Sequence, residues 1–234
     1  MSNQLYNEIK KEFQLERLIF FSDAVFAIAI TLLILEIKVP DKEFLKDHGG
    51  ISDATILHEL KLLIPKFLGF LLSFYLIGLY WSIHHRMFGF VTTYDRPLLL
   101  LNLIFLLFIV LMPFSTGFYS EFMGPELFEK QLKVPMTFYV LNFCCLGFAN
   151  FFMWRRVGNR KYKLAEPPID SLFLAMASMR ALVVPLIFLS MLPVAYLTNV
   201  LYAVWIPMLI PVVMRIAKKI IEKKHITHKH SHSL

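Results

Sequence analysis

The sequence predicts an all-α integral membrane protein with six membrane-spanning helices per subunit. Hydrophobic residues make up 57% of the 234 residues, against about 45–50% in a soluble domain, and the mean hydropathy is +0.61. Only 18% of the residues are charged. Six apolar stretches are each close to the ~20 residues that an α-helix needs to cross a bilayer.

These stretches divide the chain into a polar N-terminal segment (1–16), one transmembrane domain (17–222) and a Lys/His-rich tail (223–234). Apolar residues at helical spacing in the N-terminal segment predict a short interfacial or cytoplasmic helix that leads into the first span. The six spans are predicted at about 17–37, 62–84, 97–119, 134–155, 171–192 and 199–217.

Local signals define the ends and irregularities of the spans. Ser52 before Asp53 is typical of a helix N-cap and predicts a helix that enters the second span. Pro113 predicts a kink in the third span, or the end of its regular part. Residues 193–199 are expected to form a tight connection between the fifth and sixth spans. Pro207 and Pro211 lie inside the sixth span.

The distribution of basic residues predicts the orientation. The N-terminal segment, the 2–3 and 4–5 loops and the tail, counted with the adjoining ends of the spans, together carry 16 Lys and Arg residues, and the opposite side carries seven. Because basic residues concentrate in cytoplasmic loops, both termini are predicted to be cytoplasmic. We therefore expect a multi-pass protein of the cell membrane.

Several other function classes are not supported. The net charge of +7 is explained by loop topology and does not indicate a nucleic-acid partner. Cys144 and Cys145 are adjacent within an apolar span, which predicts packing residues and no disulfide framework. No H-E-x-x-H, C-x-x-C or Walker motif is present, so an enzyme is not expected. The tail histidines His225, His228, His230 and His232 could bind a metal weakly, but a solvated tail is the simpler interpretation.

The first span carries the most informative pattern. Asp23 lies about six residues inside its charged edge, and an ionisable residue within a span costs on the order of 2.5–3.5 kcal/mol. On a helical wheel, Asp23 and Ser22 lie roughly 120–140° from Ile28. The other face is apolar with a single hydroxyl, and it comprises Ala24, Ile28, Thr31 and Leu35, with Leu32 at its edge.

Polar residues of other spans are predicted to lie at a similar depth. At 1.5 Å per residue, Asp23 and Asn102 are each about 9 Å inside the cytoplasmic edge, and Arg180 is about 15 Å deep. We expect one hydrogen-bonded cluster, which would either fix helix packing alone or hold the first span so that its other face lines a pore. The expected members are Ser22 and Asp23 with Trp81, His84 or His85, and Asn102, and Arg180 or Arg17 is a further candidate.

The segment Arg17-x-x-x-Phe21-Ser22-Asp23 resembles the R-x-x-x-F-S-D signature of the endo-lysosomal (transmembrane protein 175-like) potassium channel family, whose prokaryotic members have one six-helix repeat per chain. The resemblance implies a potassium channel without a P-loop filter, in which the signature residues hold the first helix against its neighbours. Apolar and Thr side chains of that helix form the constriction and give the selectivity. At matching positions these are Ile28, Thr31 and Leu35.

The predicted function is passive potassium conduction through a homotetramer in the lipid bilayer, with weaker passage of other monovalent cations and no cofactor. Four first spans would enclose a central pore, as symmetric oligomers commonly do. Rings of Ile28, Leu32 and Leu35 would form a hydrophobic gate. The alternative is a secondary transporter of a small ion or solute, with Arg180 and Asp23 in the substrate or coupling site.

Overall fold

The fold is a bundle of six membrane-length helices. The structure is a computed structural model, and it describes residues 3–40, 42–47, 50–122, 130 and 132–231. Six helices in this part of the chain are long and apolar enough to cross a membrane, which confirms the predicted fold class. These spans are Lys11–Glu36, Ile64–Phe88, Arg96–Glu121, Val134–Val157, Ser171–Leu197 and Val200–Lys223.

The helix that forms the first span begins several residues before the membrane-length segment Lys11–Glu36. One continuous helix runs Asn3–Leu32, so the N-terminal segment, predicted as a short helix that leads into the first span, is continuous with it. The α-helix then tightens into a 3₁₀ turn at Leu33–Glu36. Nothing between residues 3 and 32 breaks the helix, because this stretch lacks Pro and Gly.

Two shorter helices, Lys42–Asp47 and Asp53–Leu62, connect the first span to the second. Ser52 caps the second of these helices: its Oγ accepts a hydrogen bond from the Thr55 backbone N–H, and Thr55 caps Ser52 in return. Such a reciprocal capping box satisfies two backbone donors that the helix itself cannot pair. The second span, Ile64–Phe88, then starts with Pro65 in its first turn, where proline's missing N–H costs nothing.

Prolines divide the third and sixth spans but not the fifth. The third span consists of helices Arg96–Val110 and Met112–Glu121, with Pro113 in the first turn of the second. The fifth helix, Ser171–Leu197, runs through Pro185 and Pro193, so the predicted connection at 193–199 shrinks to residues 198–199. The sixth span consists of helix Val200–Trp205, a 3₁₀ turn at Ile206–Leu209 and helix Ile210–Ser231.

The spans pack in a row across the subunit. The first span contacts the second and third, the third contacts the fourth, the fourth contacts the fifth, and the fifth contacts the sixth. The fourth span, Val134–Val157, is the most buried of the six. The first and sixth spans therefore lie at opposite edges, and each leaves a face uncovered within the subunit.

The fourth and fifth spans meet closely at Gly147. A Cβ atom added there would lie 2.7 Å from Pro185 Cγ, so Gly147→Ala forces two helices apart. Because overpacking typically costs about 1–3 kcal/mol, we expect a lower thermal unfolding midpoint in detergent. Gly78→Ala is the matched control, since a Cβ atom at Gly78 meets nothing within 4 Å. Equal midpoints for the two variants would contradict this packing.

Candidate functional site

Asp23, near the middle of the first span, joins it to the second span by one direct hydrogen bond. Trp81 Nε1–H donates to Asp23 Oδ1 at 2.9 Å. Asp23 is only partly buried, and the Trp81 indole stacks on the His85 ring, with 5.6 Å between ring centroids. The Asp23 carboxylate, whose charge is costly inside a membrane span, therefore accepts a hydrogen bond from a neighbouring helix.

A second, fully buried chain of hydrogen bonds ties together the first three spans. His84 Nε2 donates to Asn102 Oδ1 at 2.8 Å, because an amide oxygen can only accept. Asn102 Nδ2 donates to Ser22 Oγ at 3.0 Å, and the Ser22 hydroxyl donates to the Leu18 carbonyl at 2.9 Å. His84, Asn102 and Ser22 are each 0% exposed. This series of hydrogen bonds fixes the rotation of the first span, because Ser22 reaches Asn102 in one orientation only.

Aromatic rings enclose His84. The imidazole stacks on Phe88 with 4.3 Å between centroids, and Phe26 and Phe105 lie 5.6 Å away. Nδ1 of His84 has no hydrogen-bond partner among the described residues. The Nε2–H tautomer is thus the form that the surroundings satisfy, and it is selected by Asn102.

Three residues expected near this network lie outside it. Arg17 is exposed and contacts the Phe13 ring, 6.0 Å from its centroid. Phe21 is 51% exposed. Arg180 is also exposed, and it has no hydrogen bond or ion pair within the described part of the chain. Similar depth did not bring Arg180 to Asp23, because the fifth span packs on the fourth and sixth spans and the first span packs on the second and third.

The opposite face of the first span is uncovered within the subunit. Ile28 is 58% and Leu35 is 69% exposed, while Phe26, Ala29 and Leu33 on the packed side are 1% exposed. Leu32 and Thr31 are exposed as well. The Thr31 hydroxyl donates to the Ile28 carbonyl at 2.9 Å, so its oxygen lone pairs remain available to an outside partner.

The other half of the bundle, around the break in the third span, contains polar contacts that the sequence analysis missed. Asn142 Nδ2 lies 3.3 Å from the Phe108 carbonyl and 3.1 Å from Ser115 Oγ, and so bridges the two halves of the third span. Ser73 Oγ lies 2.7 Å from Thr116 Oγ1. Polar residues inside apolar spans were the available signal for both contacts.

An ion pair joins the start of the third span to the end of the fourth. Asp95 caps the third span by accepting from the Leu98 N–H at 3.0 Å, and Arg156 Nε donates to it at 3.1 Å. Partial burial raises the pKa of Asp95, but the hydrogen bonds from Arg156 and Leu98 outweigh burial and hold the pKa below its ordinary value. The Arg156 guanidinium also stacks 3.5 Å over the Tyr162 ring. The pair joins the N-cap of the third span to the last turn of the fourth.

Fold and site define a six-helix integral membrane protein whose first helix is braced on one face and bare on the other. A family model described as endosomal/lysosomal potassium channel TMEM175 matches residues 17–113. A potassium channel of Chamaesiphon minutus is 33% identical over 68% of this chain and 73% of its own length. A potassium channel of Streptomyces collinus is 34% identical over 64% of this chain and 68% of its own length.

The fold agrees with these relationships. The crystal structure of a lysosomal potassium-selective channel TMEM175 homolog from Chamaesiphon minutus superposes with a TM-score of 0.68 at 24% identity, covering 88% of this chain and 98% of the homolog. The chain belongs to the TMEM175 family, a family of ion channels and not of enzymes.

The buried hydrogen bond between His84 and Asn102 can be tested by a double-mutant cycle. Asn102→Leu leaves the His84 Nε2–H donor without an acceptor, and an orphaned buried donor costs about 1–3 kcal/mol. We expect a lower thermal unfolding midpoint, read from tryptophan fluorescence in detergent. His84→Phe with Asn102→Leu removes both partners, so the double variant should be more stable than Asn102→Leu alone. Strictly additive losses would contradict a direct interaction.

Proposed function

We propose that the protein conducts potassium passively across the cell membrane as a homotetramer, through a central pore lined by its first span. The observation that carries this proposal is the division of that span. Its packed face is held by hydrogen bonds, and its other face exposes Ile28, Thr31 and Leu35 at helical spacing. An apolar face with one hydroxyl needs a partner outside the subunit, and symmetry-related copies supply it.

Small side chains support close approach of the four helices. Ala24 and Ala27 lie on the exposed side of the first span, where small residues let membrane helices pack closely. Ala29, a third small residue of this helix, packs inside the subunit and is 1% exposed. Rings of Ile28, Leu32 and Leu35 would then form the hydrophobic gate, since narrow apolar constrictions exclude water.

The Thr31 hydroxyl is the proposed polar element of the filter. Its hydrogen is committed to the Ile28 carbonyl, so its oxygen can present lone pairs to a cation in place of hydration water. No T-V-G-Y-G segment occurs in the sequence. The preference for K⁺ over other monovalent cations would therefore depend on this ring and on the apolar constriction beside it.

We propose that the hydrogen bonds of Ser22 and Asp23 set the pore geometry. Ser22 and Asp23, through Asn102, His84 and Trp81, hold the rotation of the first span, and therefore the direction of its exposed face. Arg17 and Phe21 belong to the same signature segment but are exposed in the single subunit. We propose that they contact a neighbouring subunit or the membrane surface.

The orientation is proposed from charge. The ends and loops that would face the cytoplasm carry 16 basic residues against seven on the other side. The transporter alternative needs Asp23 and Arg180 in one site. Asp23 is bound by Trp81, and Arg180 is exposed on the fifth span, so the channel is better supported.

Purified protein in liposomes tests the proposal. Under a K⁺ gradient we expect passive K⁺ flux that needs no coupled ion. With K⁺ on one side of the membrane and Na⁺ on the other, we expect a reversal potential that shows a preference for K⁺. Thr31→Ala should shift that potential towards zero, because the ring loses its oxygens. Thr31→Ser retains the hydroxyl and serves as the control. An unchanged potential in Thr31→Ala would exclude the filter role, and flux that requires a second ion would favour the transporter.

A further inference from the structure

A charge in the fifth span remains unexplained by the channel. Arg180 lies nine residues after Ser171, about 14 Å into the span, where a charge is costly unless it reaches water or a partner. It is exposed, and no acidic residue pairs with it in the described part of the chain. A helical side chain leans towards the helix N-terminus, and this end of the fifth span faces the proposed cytoplasmic side. The 27-residue helix is about 40 Å long and exceeds the ~30 Å hydrocarbon core, so part of its first ~14 Å lies outside the core. Arg180, about 25 Å from the outer end, then lies only about 5 Å inside the core, and its guanidinium can extend to the level of the inner headgroups.

The sixth span places more cations at this depth. Only residues 198–199 separate the fifth and sixth helices, so distance along each helix from this turn gives relative depth. Arg180 lies about 25 Å before the turn and Arg215 about 25 Å after it, at 1.5 Å per α-helical and 2.0 Å per 3₁₀ residue. Lys219 follows one turn beyond Arg215, and both are exposed.

These cations are poorly neutralised by the protein. Lys218 Nζ lies 3.7 Å from Glu222 Oε1. Arg215 and Lys219 have no acidic partner among the described residues. The surface is thus a cluster of positive charge at the inner membrane boundary, which is complementary to an anionic headgroup.

An apolar row lies beside the charged one. Val212, Ile216 and Ile220 repeat every four residues on the sixth helix and are 53%, 55% and 53% exposed. Arg215 and Lys219 lie on the proposed cytoplasmic side of Val212 and of Met208, which is 69% exposed. A ligand whose head contacts the two cations can therefore extend its tail along these apolar side chains towards the membrane centre. A ligand with an anionic head and an apolar tail matches this arrangement. A water-soluble phosphate would use only the two cations.

We propose that the inner-leaflet surface of the fifth and sixth spans is a binding site for an anionic phospholipid. Arg215 and Lys219 contact the headgroup phosphate, and Arg180 provides a third cation at the same depth. The acyl chains run from there towards the membrane centre along Val212 and Met208, and Ile216 and Ile220 lie beside the headgroup. The site takes only its membrane topology from the proposed function, and it lies at the edge of the subunit opposite the first span.

The test measures phosphatidylglycerol bound to the purified full-length protein in detergent, with phosphatidylcholine as the neutral lipid. A triple variant, Arg180→Gln with Arg215→Gln and Lys219→Gln, should bind phosphatidylglycerol more weakly by about fivefold for each charge removed. The exposed Arg215→Gln change alone should weaken binding about fivefold, which covers the case of a poorly folded triple variant. Unchanged affinity in Arg215→Gln would overturn the proposal.

The control variant removes three positive charges, as many as the triple variant, from the same side of the membrane. Arg160→Gln, Lys161→Gln and Lys163→Gln neutralise the exposed 4–5 loop and should leave binding unchanged. An equal loss there would overturn the proposal in favour of general electrostatic attraction. Glycerol phosphate should fail to compete at matched concentration, and effective competition would indicate a free-phosphate site instead. Lipid binding is measured without ion flux, so failure of the channel proposal would leave this result interpretable.

Discussion

The hydrogen bond from Asn102 to Ser22 constrains the position of the first span more than any other contact. It joins a buried amide on the third span to a buried hydroxyl on the first, at 3.0 Å and with both side chains 0% exposed. Because lipid offers no replacement partner, rotating the first span away would leave the Asn102 Nδ2–H donor without its acceptor. The exposed direction of Ile28, Thr31 and Leu35 follows from that constraint.

Much of this arrangement could be predicted from the sequence. The six spans follow from hydropathy, and the residues Ser22, Asp23, Trp81 and Asn102 stand out because polar groups are rare inside spans. Their depth, counted from Arg17 and Arg96, places them in one layer of the membrane. The wheel separates Asp23 from Ile28, and the structure places the two residues on differently buried faces.

Other features depend on packing that sequence spacing does not contain. Depth alone suggested Arg180 as a member of the cluster, but neighbours in the bundle decide contact, and the fifth span does not pack on the first. His84 and His85 are adjacent in sequence, and only the helix rotation selects His84 for Asn102. Asn142 bridges the break in the third span, a role that emerges only once the fourth span lies beside it. The tail histidines lie outside the described side chains.

Cysteine accessibility in the reconstituted protein tests most directly whether the first span lines the pore. With Cys144 and Cys145 replaced by alanine, Leu35→Cys and Ile28→Cys place thiols on the exposed face, and Leu33→Cys places one on the packed face, where the native side chain is 1% exposed. A thiol-reactive cation should block K⁺ current through the Leu35 and Ile28 variants and leave the Leu33 variant conducting. Block at Leu33 alone, or currents that persist after complete labelling of Leu35→Cys and Ile28→Cys, would contradict a pore built from this face.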